Sequence, residues 1–533
     1  MTIVATLLIV ASAAYFWGAN LADEDLWNHL TFGDLHIAAH TVPTVDRWSY
    51  SAPGHPFFDH EWFAEVVLAG LFRLAGAAGL VALKAAAFFV ILASILDAVR
   101  TSAGTLRAGA AVHPATLAAC LVLAMAGMAP GASFRPQLFT MTFLAVEWAI
   151  LERADRRLFG PLATRGLPWS LALIPPMIVL WTNMHGGFLV GVGLHGFFVL
   201  GVVVRALDTR AYGRPTPPPR ALVLVALSGL ASLAATLANP YGLALHRYLA
   251  HTLGDHGRIT EWMPIPLFSA DHLRFKALVV ATAATVIPWW WSRRRDSPAA
   301  LLDWRVGFVV LAGVFGFQHR RHSVLFAIAA APVFITAAEW VRVQALARWP
   351  VLRPRRAVSV PIAAGVVAIS LVQLGVVVDR YRHEGLAIRY AREDFPLDAV
   401  EFLRANDLHG NMAVQFEWGG YALHHLGDRA RVFIDGRYEA TYPKEVRDDY
   451  FAFVEGAPGW ERVLDAYPTD LVMVEATAPV VPLLAARPDL VRVFADGTAL
   501  VYLKRTPTNA AAIERLTAVV TRAVPSGRDS VFP

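Results

Sequence analysis

The sequence contains very little cysteine and little charge. Its one cysteine, Cys120, lies inside an apolar run, which excludes a disulfide framework and a cysteine-ligated metal centre. Charged residues make up 17% of the chain, whereas a soluble domain carries about 25%. The chain is instead 56% hydrophobic, with a mean hydropathy of +0.46. These values exclude an ordinary soluble enzyme and indicate a protein with several membrane-spanning helices.

Two further absences narrow the class of protein. The opening apolar run, residues 1–19, has no basic stretch before it and no small-residue cleavage site after it. We therefore expect a retained first span rather than a removed signal peptide. The net charge of +5 comes largely from arginines in the connections between apolar runs. Such arginines are typical of membrane topology signals, so no nucleic-acid partner is expected.

Apolar runs of membrane-spanning length recur along the first 380 residues. They predict eleven spans, near residues 2–19, 78–98, 112–130, 134–152, 167–184, 187–205, 220–239, 276–292, 305–319, 322–342 and 357–378. The segment 62–76 is shorter and contains Glu65 and Arg73. It could be an interfacial helix or a further span, so the sequence predicts about 11–13 spans.

The distribution of basic residues favours a topology in which segment 62–76 does not cross the membrane. The connections 99–111, 153–166, 205–220, 293–305 and 342–356 then share one side and hold 19 Lys or Arg in 71 residues. The opposite connections, 20–61, 131–136, 182–187, 239–276 and 317–323, hold 8 in 99 residues. The positive-inside rule assigns the first set to the cytoplasm and the second to the outside of a bacterial inner membrane.

Composition changes after Asp379 and indicates a second domain. Segments rich in strand-forming residues, at 412–416, 431–435, 470–474, 490–494 and 499–503, alternate with helical patterns. We expect a mainly α membrane domain over 1–380 with a first outer loop at 20–61. A soluble extracytoplasmic α/β domain is expected over 381–505. The tail, 506–533, is expected to be a loosely held helix with a disordered end.

Unusual polar clusters fall on the predicted outer side. They are the acids Asp23, Glu24 and Asp25, the group Asp59, His60 and Glu61, and later Arg135, His185, Arg320, Arg321 and His322. Each cluster alone could be a solvated loop, a turn or a snorkelling helix end. Because acids, histidines and arginines share one side, we expect one polar cavity at the outer membrane surface.

Such a cavity would combine two kinds of chemistry. Carboxylates of the first loop can act as a general base or hold a divalent cation. Arginine side chains of later loops can bind a phosphate through their fork of N–H donors. This combination suits group transfer from a lipid phosphate to an acceptor hydroxyl or amide.

The opening "LADEDLWNHLTFGDLHI" and the stretch up to "FFDHEWFAE" carry a resemblance to a known superfamily. A first span, a long outer loop opening with paired acids, many spans and a carboxyl-terminal outer domain resemble the GT-C integral-membrane glycosyltransferases. The resemblance implies a polyprenyl-linked sugar donor and a catalytic acid among Asp23, Glu24 and Asp25. His29, Asp59, His60 and Glu61 would be supporting groups. A divalent cation, Mg or Mn, could be held by Asp23, Asp25 and Asp59.

The stretch "VQFEWGGYALHHLGDRARVFIDGRYEATYP" (414–443) resembles in layout a region of oligosaccharyltransferase catalytic subunits that helps to bind the acceptor. The match is partial, because the acid after the second tryptophan of that motif is missing here. The alternative is that "WGGY" only ends a strand and starts a helix. The acceptor-side candidates are Glu417, Trp418, Tyr421, Asp435 and Arg437.

Together these patterns predict a membrane glycosyltransferase that acts on a lipid, glycan or protein acceptor. Residues Arg135, His185, Arg320, Arg321 and His322 would bind the donor phosphate. The alternatives are a non-catalytic lipid-sugar binder or transporter, or a structural membrane protein with the same frame. A transporter needs polar residues through the whole bundle, whereas those found here gather on one side, which favours the enzyme.

Overall fold

The structure of the chain is a computed structural model that describes most of the sequence. The described residues are 2–103, 111–160, 167–211, 216–252, 258–293, 302–352, 356–516, 520–521 and 530–532. Up to residue 384 the α-helices are α1 (Thr2–Trp17), α2 (Asp25–Ala39), α3 (Trp62–Ala103), α4 (Pro114–Met128), α5 (Gln137–Phe159), α6 (Ile174–Thr182), α7 (Phe188–Ala211), α8 (Pro219–Ala235), α9 (Leu243–Thr252), α10 (Leu273–Ser292), α11 (Trp304–Gln318), α12 (Ser323–Arg348) and α13 (Arg356–Glu384).

The carboxyl-terminal part alternates strands and helices. Its elements are β1 (Arg389–Tyr390), α14 (Leu397–Ala405), β2 (Gly410–Val414), α15 (Gly419–Leu426), β3 (Ala430–Val432), α16 (Lys444–Glu455), α17 (Arg462–Asp465), β4 (Leu471–Glu475), α18 (Val481–Ala486), β5 (Leu490–Ala495), β6 (Ala499–Lys504), α19 (Ala510–Arg515), β7 (Val520–Thr521) and β8 (Ser530–Val531).

The chain forms two compact units that do not follow the hydropathy boundary. The first unit is Met1–Ala19 with Ala82–Leu386, and the second is Asn20–Val81 with Ala387–Pro533. The boundary expected near 380 lies close to Ala387, where the chain enters the second unit again, but this unit also contains residues 20–81. These residues belong to the second unit because they pair and pack with the carboxyl-terminal segments. The domain division expected from the sequence stays a prediction.

The first unit is a helical membrane bundle. Each of the eleven predicted spans overlaps a described helix. By length and composition, five helices of the described chain can cross a membrane: Trp62–Ser102, Pro114–Gly131, Phe188–Ala211, Arg320–Arg348 and Ala357–Glu384. Shorter apolar helices are Thr2–Trp17, Trp169–Thr182, Pro219–Ala235 and Trp304–Gln318. The predicted fold class, a helical membrane bundle with an α/β domain, is confirmed, and the number of crossings stays a prediction.

A buried ionic cluster marks one end of the bundle. Arg305 donates to both carboxylate oxygens of Glu152, at 2.6 and 2.8 Å, and to Asp155 at 2.8 Å. Arg205 also donates to Asp155, at 2.7 Å, and Arg153 pairs with Asp97 at 2.8 Å. Four of the five connections predicted to share the cytoplasmic side therefore meet, or lie beside, one end of the bundle.

The polar connections predicted for the other side also contact one another. Arg135 pairs with Glu261 at 2.6 Å. The backbone N–H of Arg320 donates to the oxygen of Met263 at 3.1 Å, and that of Ile265 donates to Phe317 at 2.8 Å. Arg135, residues 261–265 and residues 317–320 thus gather at one end of the first unit. Which end faces the cytoplasm stays a prediction.

Helix α3 is broken at Gly76, which has a φ of 58° and a ψ of −149°. Glycine adopts this left-handed backbone without the steric penalty of a Cβ atom. The short segment 62–76 is therefore separated from the rest of α3 by this break, and Val81 ends the second unit shortly after it. Whether 62–76 crosses the membrane stays open to experiment.

A mixed sheet forms the core of the second unit. The strand order is β3-β2-β4-β6-β5-β7, in which β2 runs parallel to β3 and β4, and β6 runs antiparallel to β4 and β5. A separate pair, β1 and β8, is antiparallel. All five predicted strand segments overlap described strands, because they are rich in valine and other apolar residues that the sheet buries, most completely in the central strands β4 and β6.

The first loop, 20–61, is fastened to the α/β domain and contains a helix that the sequence interpretation did not include. Ser49 pairs with Val432 of the edge strand β3. The hydroxyl of Tyr50 is 2.9 Å from that of Thr469. Main-chain bonds also join Ala22 to Arg389 at 2.7 Å. The loop therefore covers a sheet edge that would otherwise be exposed.

An aromatic cluster around Trp27 joins α2 to the α/β domain. Its indole, fully buried, lies 4.5–5.3 Å from the rings of Tyr390, Phe395, Tyr421 and Phe532. The contact with Phe532 shows that the end of the tail is packed rather than loose. The rest of the expected disordered end, 522–529 and residue 533, lies outside the described residues.

Candidate functional site

The three acids of the first loop begin helix α2. Glu24 is exposed, whereas Asp23 and Asp25 are half-buried. The backbone N–H of Asp25 donates to Asp23 Oδ1 at 3.2 Å. The amino-terminal end of a helix carries partial positive charge from its free N–H groups, so it stabilises carboxylates in this position. The sequence thus holds two partly enclosed carboxylates at the start of one short helix.

Glycines of the α/β domain allow the start of α2 to lie close to them. A Cβ atom on Gly436 would lie 2.8 Å from Asp25 Oδ1 and 2.5 Å from the amide nitrogen of Asn28. A Cβ atom on Gly420 would lie 2.6 Å from the amide carbon of Asn28. The acids of the first loop and the "WGGY" and "DGR" segments are therefore neighbours in the second unit.

Two histidines on the next turns of α2 face acids from the end of the loop and from α3. His29 Nδ1 is 3.1 Å from Glu65 Oε1 and 4.0 Å from Glu61 Oε2. His36 Nε2 is 2.6 Å from Asp59 Oδ2 and 3.3 Å from Glu65 Oε2. The histidines are seven residues apart, so two helical turns place them on one face.

This buried network changes the proton affinities of its members. Burial alone would lower the pKa of His29, but the hydrogen bond with Glu65 and the charge of Glu61 outweigh burial and raise it to about 9. For His36, burial is again outweighed, by its hydrogen bond with Asp59 and by the nearby carboxylate of Glu65, and the pKa rises to about 10. Burial and the charge of Glu65 raise the pKa of Asp59 to about 6, against the effect of His36.

His60 and Glu61 lie at the outer edge of this network. Both are half-buried, and His60 Nε2 is 3.8 Å from Glu61 Oε1. The backbone N–H of Glu61 donates to Asp59 Oδ1 at 3.2 Å. The structure therefore brings together all four predicted supporting residues, His29, Asp59, His60 and Glu61, and adds His36 and Glu65 to them.

Asp435 and Arg437, two of the acceptor-side candidates, are buried and bound to each other. Arg437 donates from Nε to Asp435 Oδ1 at 2.9 Å and from Nη2 to Oδ2 at 2.7 Å. It also donates to Asp46 of the first loop. Tyr442 donates its hydroxyl to Asp435 Oδ2 at 2.9 Å. Their hydrogen-bonding groups are thus used within the protein, which indicates a structural role.

The "WGGY" segment is mainly part of the core. Trp418 is buried and donates its ring N–H to the oxygen of Asp394 at 2.8 Å. Tyr421 is buried against the Trp27 ring. A Cβ atom on Gly419 would lie 2.4 Å from the oxygen of Ile434. The segment ends a strand and starts α15, as the structural alternative predicted, and only Glu417 of this group is exposed.

The donor-side candidates belong to the polar end of the first unit. The guanidinium of Arg321 lies 4.7 Å from the centre of the Trp262 ring. The His322 ring lies 5.8 Å from the same ring. No acceptor reaches the Nε of Arg320 among the described residues, although this atom is buried. A buried donor without a partner is costly, so this end can accept an anion.

His185 is placed by a separate set of bonds. Its Nδ1 is 2.8 Å from the hydroxyl of Thr140, and it accepts from the backbone N–H of Gly187 at 2.9 Å. Trp181 donates to the same hydroxyl at 2.7 Å. These bonds fix a tight turn between α6 and α7, which is the alternative that the sequence allowed for this residue.

Solved structures resemble most of the chain in fold. ArnT of Cupriavidus metallidurans in the apo state is 16% identical, with a TM-score of 0.52 over 94% of this chain and 97% of that chain. The Archaeoglobus fulgidus oligosaccharyltransferase in the apo form is 12% identical, with a TM-score of 0.56 over 89% and 69%. The chain has a GT-C-like fold. No protein-family model and no curated protein matches its sequence.

The GT-C-like fold and the resemblance drawn from the sequence agree, and the geometry refines the candidate residues. The acids, the supporting histidines and the acceptor-side residues lie in the second unit, while Arg135, His185 and Arg320 to His322 lie in the first. The single cavity expected from the sequence stays a prediction.

The cation expected at Asp23, Asp25 and Asp59 stays a prediction, and the structure adds a second candidate set of ligands. Within the described part of the chain, the three His, Asp or Glu residues that could share one ion are His36, Asp59 and Glu65, all buried. Asp23 and Asp25 do not belong to this set. His36 and Glu65 were missed by the sequence interpretation, although the spacing of His29 and His36 was a usable signal.

Proposed function

We propose that this chain is a membrane glycosyltransferase that moves a sugar from a polyprenyl-phosphate-type donor to an extracytoplasmic acceptor. The observation that carries the proposal is the pair of half-buried carboxylates at the start of α2, in a chain with a GT-C-like fold. A general base must be partly enclosed yet reachable by its substrate. Asp23 and Asp25 meet this condition, whereas the exposed Glu24 is a weaker candidate.

Asp25 is the proposed base. Its carboxylate lies beside Gly436, and its charge also acts on His29. Asp23 accepts the backbone N–H of Asp25, so it can hold the first turn of α2 in place. His29 and Glu61 would then act as supporting groups through the charges that they place near Asp25.

The proposed reaction is a single displacement with inversion. Asp25 takes the proton from the acceptor hydroxyl or amide as the acceptor atom forms a bond to the anomeric carbon. The bond between that carbon and the phosphate oxygen breaks, and the lipid phosphate leaves with the electron pair. Charge therefore builds up on the leaving phosphate, and cationic donors stabilise this charge in the transition state.

Arginines at the polar end of the first unit are the proposed phosphate ligands. The unsatisfied Nε of Arg320 and the absence of an acidic partner for Arg320 and Arg321 among the described residues support this role. Arg135 already pairs with Glu261, so we assign it the positioning of that segment. His185 and His322 are assigned to the same end as secondary contacts.

The remaining partners follow from this proposal. The acceptor would approach from the side of the α/β domain, where the exposed Glu417 is the acceptor-side candidate that remains accessible. We infer an extracytoplasmic α/β domain and a multi-pass location in a bacterial inner membrane, from the distribution of basic residues. A divalent cation, if used in catalysis, would bind near Asp23 and Asp25 and neutralise the leaving phosphate.

The test is a transfer assay with the purified full chain in lipid nanodiscs. Radiolabelled polyprenyl-phosphate and polyprenyl-diphosphate sugars are supplied, and release of the sugar to water or to added acceptors is measured. Asp25→Asn is expected to lower turnover by about 100-fold or more, as loss of a general base does. Glu24→Gln, one residue away and exposed, is the matched control and is expected to retain activity.

A binding measurement separates the enzyme from a lipid-sugar binder. Arg320→Gln is expected to weaken binding of the donor lipid, whereas Asp25→Asn is expected to leave it intact. Donor binding by the wild type without any turnover, over both donor classes, would contradict the enzymatic proposal and favour the binder.

A further inference from the structure

A compact cluster of metal-binding side chains lies between α2, the end of the first loop and the start of α3. We propose that His36, Asp59 and Glu65 hold a divalent transition-metal ion of the zinc class, and that this ion fastens the three segments together. The site is structural and distinct from the proposed catalytic acids. It therefore does not depend on the proposed transferase activity.

The candidate ligand atoms lie close to the spacing that a shared metal ion requires. His36 Nε2 lies 3.3 Å from Glu65 Oε2 and 2.6 Å from Asp59 Oδ2, and one ligand atom from each residue falls within 4.8 Å of the others. Bonds from zinc to nitrogen and oxygen are about 2.0–2.2 Å, so tetrahedral ligands lie roughly 3.3 Å apart. The pair with Glu65 has this spacing, and the pair with Asp59 needs a shift of about 0.7 Å.

Hydrogen bonding alone leaves the cluster incomplete. His36 has one Nε2–H, and it is donated to Asp59, which is the closer acceptor. Glu65 Oε2 has no hydrogen bond among the described residues, although it is buried and lies beside the same nitrogen. One proton cannot serve both oxygens, whereas one metal ion can bind the nitrogen and both oxygens together.

Burial and charge favour a divalent ion at this point. The side chains of His36, Asp59 and Glu65 are 2%, 4% and 7% exposed. The buried carboxylates of Asp59 and Glu65 need compensating positive charge, because an unpaired buried charge is very costly, and without an ion they receive it from His36 and His29. A divalent ion with a neutral His36 supplies this charge in full, and it would replace the proton on Nε2.

Neighbouring groups orient the ligands as in established metal sites. His29 Nδ1 lies 3.1 Å from Glu65 Oε1, the oxygen not used for the ion, and fixes that carboxylate. The backbone N–H of Glu61 donates to Asp59 Oδ1 at 3.2 Å and fixes the second one. Such outer contacts hold ligating carboxylates in place and tune their affinity for the metal.

The backbone also brings the ligands together. Gly33, one turn before His36, lies close to α3. A Cβ atom at Gly33 would be 2.2 Å from the backbone carbonyl oxygen of Glu65. The absence of a side chain lets α2 approach the first turn of α3 closely. The ion would then close the segment between His36 and Asp59 into a loop, which reduces the entropy of the unfolded chain.

The donor set indicates the class of metal. One imidazole nitrogen and two carboxylate oxygens suit zinc, and with a water or fourth donor they complete a tetrahedron. Calcium takes about six to eight oxygen ligands, and magnesium keeps several waters in an octahedron, so a small buried site with a nitrogen ligand disfavours both.

The experiment measures metal content and heat stability rather than activity. The full chain is purified in detergent without chelators and without a histidine tag, and its metals are determined by mass spectrometry. We expect about one zinc-class ion per chain in the wild type, and a loss of about tenfold or more in His36→Gln and in Asp59→Asn. His40→Asn, an exposed histidine at the end of α2, is the matched control and keeps the ion.

Reconstitution keeps the test decisive if the variants do not fold. Wild-type protein stripped with a strong chelator is expected to unfold at a lower temperature and to regain its stability with zinc but not with magnesium. Wild type that carries no ion and does not respond to added zinc, manganese or iron(II) overturns the proposal. Retention of the full metal content by both ligand variants overturns it as well.

Discussion

At the scale of single residues, the guanidinium of Arg437 shows how the first loop is bound to the α/β domain. It bonds to Asp435 and Asp46, and its carbon lies 4.9 Å from the centre of the Phe32 ring. Replacing Arg437 by Met leaves two buried carboxylates without their partner. We expect a loss of about 3 to 5 kcal/mol in the free energy of unfolding, measured by denaturant titration of the chain in detergent.

An exposed arginine provides the control for this measurement. Arg462 pairs with Asp449 at 2.8 Å, but its side chain is 61% exposed. Solvent-exposed pairs contribute little, because water and salt screen them. Arg462→Met is therefore expected to leave the unfolding transition unchanged. Equal effects of the two substitutions would contradict the assignment of Arg437 to a buried structural cluster.

Sequence could identify the importance of Asp435 and Arg437 but not their role. Their place after a predicted strand suggested a ligand site at the edge of the sheet. The additional partner of Arg437, Asp46, is 391 positions away in the sequence, and nothing in the sequence pattern around either residue connects the two segments. In contrast, Asp23 to Asp25 could be predicted as candidate residues from their position directly after the first predicted span.

At the scale of elements, the crossing of α2 and α3 depends on one glycine. A Cβ atom on Gly33 would lie 2.2 Å from the backbone carbonyl oxygen of Glu65 and 2.7 Å from the Cβ of Ala69. Gly33→Ala must push the helices apart, and overpacking of this kind costs about 1–3 kcal/mol. We expect a lower unfolding temperature and, if His36, Asp59 and Glu65 bind an ion, a lower metal content.

Gly70 is a helical glycine of the same unit with open space around it. A Cβ atom there would meet no heavy atom within 4 Å. Gly70→Ala is expected to be neutral or to stabilise the chain slightly, since alanine favours helix by about 1 kcal/mol over glycine. If Gly33→Ala and Gly70→Ala had the same effect, the close crossing at Gly33 would be excluded as the cause.

The helices of the membrane bundle and the strands of the α/β domain could be predicted for different physical reasons. Helices of the bundle could be located because a lipid environment requires long apolar segments whose backbone bonds are internal. Strands such as β4 and β6 could be located because their residues alternate or stay apolar over five to six positions. Helix α2 was missed because Asp25, His29, Asp34 and His36 interrupt its apolar residues, so it does not form a continuous apolar run, and its buried face is formed by tertiary contacts.

At the scale of the whole molecule, the division into units differs from the division by hydropathy. Residues 20–81 precede most of the bundle in sequence, yet they belong to the same compact unit as residues 387–533. A loop that carries candidate catalytic acids is thereby held by strand pairing and a buried ionic cluster. Local sequence could not show this arrangement, because the partners are separated by the whole membrane domain.

The orientation of the chain in the membrane can be tested with single cysteines. The natural Cys120 is buried, so it should stay unreactive towards a membrane-impermeant maleimide. New cysteines are introduced at the exposed positions Arg210, Asp271 and Asp428. Arg210 lies at the arginine-rich end of the bundle, and Asp271 lies at the end that contains Arg320. Asp428 belongs to the α/β domain.

Because the arginine-rich connections should face the cytoplasm, Asp271→Cys and Asp428→Cys are expected to react in intact spheroplasts. Arg210→Cys should react only after the membrane is permeabilised, and the wild type shows the background. Reaction of Arg210→Cys in intact spheroplasts would reverse the orientation. Reaction of Asp271→Cys without Asp428→Cys would mean an additional crossing before the α/β domain, and the acceptor side proposed for the transferase would then have to be reassigned.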